Sequence, residues 1–220
     1  MLICGIDDAG RGAVIGPLVI AGVLLEESTL PELVKLGVKD SKLLSPRRRE
    51  HLAEEIHKLT KKCYISKASP DEIDKVVETG KKLNRLNRLE ARMMAEVIRN
   101  LKPDIAYVDA SDVLEERFKQ HIAEEVPFKV EIISRHKADR LYPIVSAASI
   151  IAKVERDREI AHLRSEHGDL GSGYIADPKT IRFLEEWIKT FGSYPSFVRK
   201  SWKPSNKLKE KAETSQKRLL

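Results

Sequence analysis

The stretch Cys4-Gly5-Ile6-Asp7-Asp8-Ala9-Gly10-Arg11-Gly12 decides the fold. The apolar run Leu2 to Ile6 reads as a short buried strand, ending in two adjacent carboxylates. The chain then turns through Gly10-Arg11-Gly12 into a second apolar run, Ala13 to Leu25. Strand, acids, glycine turn, strand: this is a β-hairpin with charge placed where the chain leaves the sheet. Carboxylates beside a strand end are costly to bury unless cations neutralise them. Successive strand residues face opposite sides, so Asp7 and Asp8 share a face only if the strand ends or bulges between them.

Three readings compete for this stretch. The first is a surface hairpin whose acids sit in water. The second is a dinucleotide-binding turn, but Gly10, Gly12 and Gly16 are spaced one residue too long, Pro17 stands where a helix should begin, and the two acids would repel a pyrophosphate. The third is a carboxylate metal site beside a loop that reads a nucleic-acid backbone, and the rest of the chain favours it.

The 220 residues suffice for one large domain or a domain with an appendage. Forty basic against 34 acidic residues leave a net charge of +6, which suits a polyanionic partner. The two cysteines, Cys4 and Cys63, offer neither a zinc spacing nor a disulfide framework, so a cytoplasmic setting is expected. The apolar run Ala13 to Leu25 falls short of the roughly 20 residues a membrane span needs, and no membrane partner is expected.

Down the chain, Ser45-Pro46 reads as the cap and first residue of a helix to about Thr60. Arg47, Arg48 and Arg49 crowd its first turn, where the helix dipole disfavours cations. They are a phosphate-binding cluster or a solvated basic face. A third strand is expected over 63–68 and a helix over 83–101. The run Ile105 to Val108 reads as a buried strand ending at Asp109. Asp112 and Glu115 fit a capping box for a helix over 113–123, which leaves Asp109 without a structural task. A fifth strand is expected over 128–134, and a long helix from Pro143 to about His167. Asp139 sits just before that helix. Beyond it come a glycine-rich loop with Tyr174, a helix from Asp177-Pro178 to about Phe191, and a basic tail with interleaved aromatics.

The order hairpin, β, α, β, α, β, α, with acids at the ends of strands one and four, resembles the ribonuclease H fold. The motifs around Asp7-Asp8 and Gly10-Arg11-Gly12, Val38-Lys39-Asp40-Ser41-Lys42, Tyr107-Val108-Asp109, His136-Lys137-Ala138-Asp139, Ser146 to Lys153 and Gly171-Ser172-Gly173-Tyr174 narrow this. Together they resemble ribonuclease HII, in its archaeal branch. The expected fold is therefore α/β: a mixed five-stranded sheet flanked by helices, the catalytic domain covering 1–167 and a small helical, substrate-binding extension covering 168–220.

The resemblance implies an endoribonuclease that cuts the RNA strand of RNA–DNA hybrids and single ribonucleotides embedded in duplex DNA. It implies Mg²⁺ or Mn²⁺ as cofactor, and 3′-hydroxyl and 5′-phosphate products. The family's four acids fall on Asp7, Asp8, Asp109 and Asp139. We assign Asp7 and Asp109 as principal ligands, Asp8 as a second-site ligand and Asp139 as the one completing the set. Two ions about 3.5–4 Å apart suit an in-line displacement, and without them four carboxylates would repel and raise at least one pKa. The family's ribose-contacting turn falls on Gly10-Arg11-Gly12, and its sugar-packing tyrosine on Tyr174. Arg11, Ser41, Lys42 and Lys137 are candidate phosphate contacts, Lys137 equally reading as a surface lysine. His136 reads as a packing or hydrogen-bonding residue. A monomer is expected. Gln216-Lys217-Arg218-Leu219 resembles the opening of a sliding-clamp-binding motif without its aromatic residues, so a clamp contact and a charged tail both stay open.

One position departs from the family, which carries Asp-Glu where this chain has Asp7-Asp8. Asp8 falls about 1–1.5 Å short of where Glu would reach, and Mg²⁺ tolerates little deviation from ligand distances of about 2.0–2.1 Å. The alternative function is thus a catalytically impaired nucleic-acid-binding protein. Asp8→Glu is expected to raise the Mg²⁺-dependent cleavage rate; equal rates for both proteins across a Mg²⁺ titration would contradict this.

Overall fold

A computed structural model describes residues 1–38, 44–79 and 85–217, with side chains to residue 211. Five strands form one sheet: β1 (Leu2–Ala9), β2 (Leu18–Glu26), β3 (Lys62–Ala68), β4 (Ile105–Asp109) and β5 (Glu131–Arg135), in the order β3-β2-β1-β4-β5. β1 pairs antiparallel with β2, and in parallel with β4, which pairs in parallel with β5. The helices are α1 (Leu30–Lys35), α2 (Pro46–Leu59), α3 (Pro70–Thr79), α4 (Arg85–Leu101), α5 (Glu115–Ala123), α6 (Ala138–Leu141), α7 (Pro143–His167), α8 (Pro178–Phe191) and α9 (Lys203–Lys217). None is long and apolar enough among the described residues to cross a membrane.

The described residues fall into two compact units that interleave along the chain. The first takes Met1–Ala9, Val19–Lys67 and Lys82–Glu155; the second takes Gly10–Leu18, Ala68–Lys81 and Arg156–Leu220. The glycine turn of the hairpin and α3 group with the C-terminal segments, and α7 contributes to both units.

In the first unit β1 and β2 are buried almost throughout, as central strands covered on both faces should be. One face, with Ile3, Ala9, Val19 and Val23, packs on α2 and the small residues of α7, Ala147, Ala148 and Ala152. The opposite face meets α4, where a Cβ on Gly22 would collide with Val97. The α4 stripe at Met93, Met94 and Val97 is core, as its spacing predicts. The second unit has its own core of Val14, Ile15, Ile160, Leu170, Leu184, Ile188 and Val198.

Three expectations shift. Residues 13–17 form no strand; β2 starts at Leu18. β5 starts at Glu131 rather than 128. The capping box does not form: α5 starts at Glu115, with Leu114 at its N-cap and no side-chain cap. Asp112 instead binds the Arg117 guanidinium and accepts from Leu114 N, which holds its carboxyl below the usual range. An Arg one helical turn on offers two N–H donors to a buried carboxylate, against the single backbone donor of a cap.

At Gly5 the backbone of α7 lies directly against the sheet, since a Cβ there would overlap the Ile144 carbonyl. Gly5→Ala is expected to destabilise the protein by about 3 kcal/mol, read as a lowered midpoint in chemical denaturation; an unchanged midpoint would show that the helix can retreat at no cost.

Candidate active site

Parallel pairing puts the carboxyl ends of β1, β4 and β5 on one edge of the sheet, where ligands bind in open α/β sheets. The β1–β4 ladder runs to Ile6 opposite Val108. One residue further along each strand come Asp7 and Asp109. β5 continues beside β4 to the pair Asp109–Arg135. The chain then turns at Lys137, which is left-handed at φ 56° and exposed, and Ala138 N donates to Asp109 Oδ1 at 2.7 Å. This places buried Asp139 in the first turn of α6, where its backbone carbonyl accepts from Ser146 Oγ of α7. Glu115 steadies the same loop, accepting from His136 N at 2.7 Å and Arg135 Nη1 at 2.9 Å. His136 Nε2 lies 3.2 Å from the Val113 carbonyl, a hydrogen-bonding position.

Asp7 is 5 % exposed. Burial raises its pKa well above the usual carboxylate range, and the charges of Asp8 and then Asp109 raise it further. Hydrogen bonds from Ser149 and Asp8 N work the other way. Ser149 Oγ in turn accepts from Lys153 Nζ at 3.0 Å. The sequence reading gave Ser149 and Lys153 no part in the site. Their signal was there, four residues apart on one helix face inside a run of small residues.

The strand neither ends nor bulges between the two acids. Asp7 pairs with Ala21, Asp8 with Ile20 and Ala9 with Val19, one to one. Asp7 therefore shares the α7 face with Ile3 and Gly5, and Asp8 leaves from the α4 face, part-buried. Among the described residues no three His, Cys, Asp or Glu side chains form a ready cage for one ion; Asp7 and Asp109 are close enough to interact electrostatically, and the Ala138 N bond ties the loop that carries Asp139 to Asp109. The donor set fits a hard divalent cation nonetheless. It is all oxygen, and the congestion of negative charge that raises the Asp7 pKa is what such an ion relieves.

The second unit carries the other expected residues. Gly10 takes φ +84°, and a Cβ there would lie 2.7 Å from the Pro17 carbonyl. Gly12 is exposed, with open space where its Cβ would be, so folding does not demand glycine at that position. The Tyr174 ring lies over the Arg156 guanidinium, 4.4 Å from centroid to Cζ, and Arg156 also donates to the Ser172 carbonyl at 2.8 Å. The Gly173 carbonyl accepts from Val14 N and Ile15 N, tying the Tyr174 loop to the segment after the glycine turn. Ser41 and Lys42 lie outside the described residues.

A mixed five-stranded sheet, flanked by helices and with aspartates at the carboxyl ends of its parallel strands, defines a hydrolase of ribonuclease H-like fold. The family model Ribonuclease HII matches residues 4–205. Ribonuclease HII of Thermococcus kodakarensis is 46% identical, covering 99% of this chain and 93% of that protein. The crystal structure of ribonuclease H2 from Pyrococcus horikoshii superposes with a TM-score of 0.89 at 41% identity, covering 97% of this chain and 99% of that one. The ribonuclease HII of a PCNA complex from Archaeoglobus fulgidus does so at 0.85 and 48%, covering 94% and 96%. The chain belongs to the ribonuclease HII family. It is a ribonuclease H, an endonuclease of RNA–DNA hybrids.

A folded-state pKa above the unfolded one means that Asp7's contribution to stability is whole below the unfolded value and is lost as pH rises through the folded one. Without divalent ions, Asp7→Asn is therefore expected to raise the melting midpoint near pH 7 by about 2 °C or more, roughly 1 kcal/mol at this chain length. It should also abolish the rise that Mg²⁺ gives the wild type. A lower metal-free midpoint in differential scanning calorimetry would contradict this.

Proposed function

We propose that the enzyme cuts RNA–DNA hybrids and single ribonucleotides in duplex DNA, using Mg²⁺ or Mn²⁺, at a site held by Asp7, Asp109 and Asp139, to which Asp8 adds its carboxylate from the other face at the end of β1. The observation that carries this is the congestion of Asp7, Asp8 and Asp109 at the carboxyl ends of parallel strands. Bound there, the ions would activate the attacking water and steady the leaving oxygen of an in-line displacement. The protein's own part is to hold donors in place. Ala138 N fixes the Asp109 carboxylate, Ser149 and Asp8 N fix that of Asp7, and the Ser146 bond fixes the backbone at Asp139. Water adds to phosphorus as the P–O3′ bond breaks, leaving a 3′-hydroxyl and a 5′-phosphate.

Choosing RNA over DNA requires a reader of the 2′-hydroxyl. The Gly10-Arg11-Gly12 turn suits that task through its backbone, and Tyr174, braced by Arg156, suits packing against the sugar. Arg11 and Lys137 are candidates for phosphate contact, as are Ser41 and Lys42. A sliding clamp is a candidate partner of the C-terminal tail, because a similar ribonuclease HII forms a complex with PCNA. The impaired-binder alternative is less favoured: all four acidic positions keep a carboxylate.

The test is cleavage of a duplex carrying one ribonucleotide, with Mg²⁺ and then Mn²⁺. The wild type is expected to cut 5′ to the ribonucleotide-derived phosphate with both ions, and Asp109→Asn to lose about 100-fold or more in rate while still binding the duplex. Gly12→Ala is expected to keep the wild-type melting midpoint and lose at least about 10-fold in kcat/KM. Wild-type cleavage by Asp109→Asn would overturn the assignment.

A further inference from the structure

Arg199 is the largest fully buried side chain among the described residues, at 0 % exposure. Its guanidinium serves the backbone of the glycine turn. Nη2 donates to the Gly10 carbonyl at 2.7 Å and to that of Gly16 at 3.1 Å, Nη1 to that of Arg11 at 2.8 Å, and Nε to that of Gly16 at 3.2 Å. Burying a cation is expensive, and only a full set of hydrogen bonds offsets the cost. A rigid fork of five N–H donors can meet three converging carbonyls, whereas a lysine ammonium has a different reach and geometry.

The segment after the turn is already fastened without this side chain. Val14 N and Ile15 N donate to the Gly173 carbonyl, Gly16 N to that of Phe197, and Arg199 N to that of Val14. The guanidinium acts further upstream, on the peptide planes that follow Gly10 and Arg11. In a planar trans peptide the carbonyl and the N–H point in opposite directions. Drawing the Gly10 and Arg11 carbonyls towards Arg199 therefore turns the Arg11 and Gly12 N–H groups away from it. Hydrogen bonding to a cation also polarises each peptide, which strengthens the opposite N–H as a donor.

The segment bearing Arg199 has its own anchor. Asp74 of α3 is buried, and its carboxylate accepts from Lys200 N at 2.7 Å, Ser201 N at 3.0 Å and Ser201 Oγ at 2.5 Å. The Trp202 ring covers the guanidinium at 5.1 Å. All of these residues belong to the second unit.

We propose that Arg199, held by Asp74, is the positioning residue of the glycine turn, presenting the Arg11 and Gly12 N–H groups to the 2′-hydroxyl of the ribonucleotide. This rests on the reading of Gly10-Arg11-Gly12 as the ribose reader, and it makes the buried arginine a determinant of sugar specificity.

The experiment compares kcat/KM on two duplexes, one with a single ribonucleotide and one with its 2′-fluoro analogue, for wild type, Arg199→Lys, Asp74→Asn and Gly12→Ala. The Mg²⁺ concentration for half-maximal rate is measured alongside. Arg199→Lys is expected to shrink the preference for ribose by about 10-fold or more, with Asp74→Asn intermediate and the Mg²⁺ dependence unchanged. An equal loss on both duplexes marks a purely structural role and overturns the proposal. If Arg199→Lys and Asp74→Asn keep the wild-type preference while Gly12→Ala loses it, the proposal fails and the turn remains the reader. If all three keep it, the reading of the turn is what fails. Should Arg199→Lys not fold, Asp74→Asn decides: retained preference overturns the proposal.

Discussion

The parallel pairing of β1 with β4 is the constraint on which the carboxylate site depends. It fixes which residue of one strand lies beside which residue of the other, and a slip of one would turn every side chain to the opposite face. With Ile6 opposite Val108, the next residue on each strand is an aspartate. The site is thus a product of register. Its cost is visible in Asp7, whose buried carboxyl is pushed towards its neutral form by burial and by two neighbouring acids. A folded chain tolerates this because the hydrogen bonds from Ser149 and Asp8 N, and a cation when bound, favour the charged form.

Small residues make that register attainable. Gly5 lets α7 lie directly against β1, and Ala147 and Ala148 keep the helix close. The close approach carries Ser149 to Asp7 and Ser146 to the backbone of Asp139. Packing and chemistry are here the same contact: the run of small residues that looks like core material on α7 also delivers the hydroxyls that orient the acids.

The second unit solves a different problem by a different means. A turn meant to offer backbone N–H groups must have its carbonyls turned inward, and inward carbonyls need donors. Arg199 supplies them from a fully buried position, and Asp74 supplies acceptors for the segment that bears it. Asp74 and Arg199 are 125 residues apart in sequence, yet neither is exposed and each meets chiefly backbone. Such residues leave no periodic trace, which is why sequence reading gives Asp74 no role and places Arg199 only in a basic tail with interleaved aromatics.

The sequence by itself determined the strands and the long helices and pointed to the glycine turn and the four aspartates proposed for the site, because apolar periodicity, proline and glycine punctuation and ordered motifs are local signals. It misplaced the cap of α5 and left open whether β1 breaks between Asp7 and Asp8. Both depend on contacts that local reading cannot weigh: Asp112 takes the Arg117 guanidinium beside Leu114 N, and the ladder with β2 runs on through both acids. Only the tertiary structure decided that Asp7 meets Ser149, that Asp8 leaves from the other face, and that the glycine turn packs with Arg199. These are contacts between residues more than a hundred positions apart or choices between faces of one strand, and they are fixed by strand register and side-chain packing, which exist only in the folded chain.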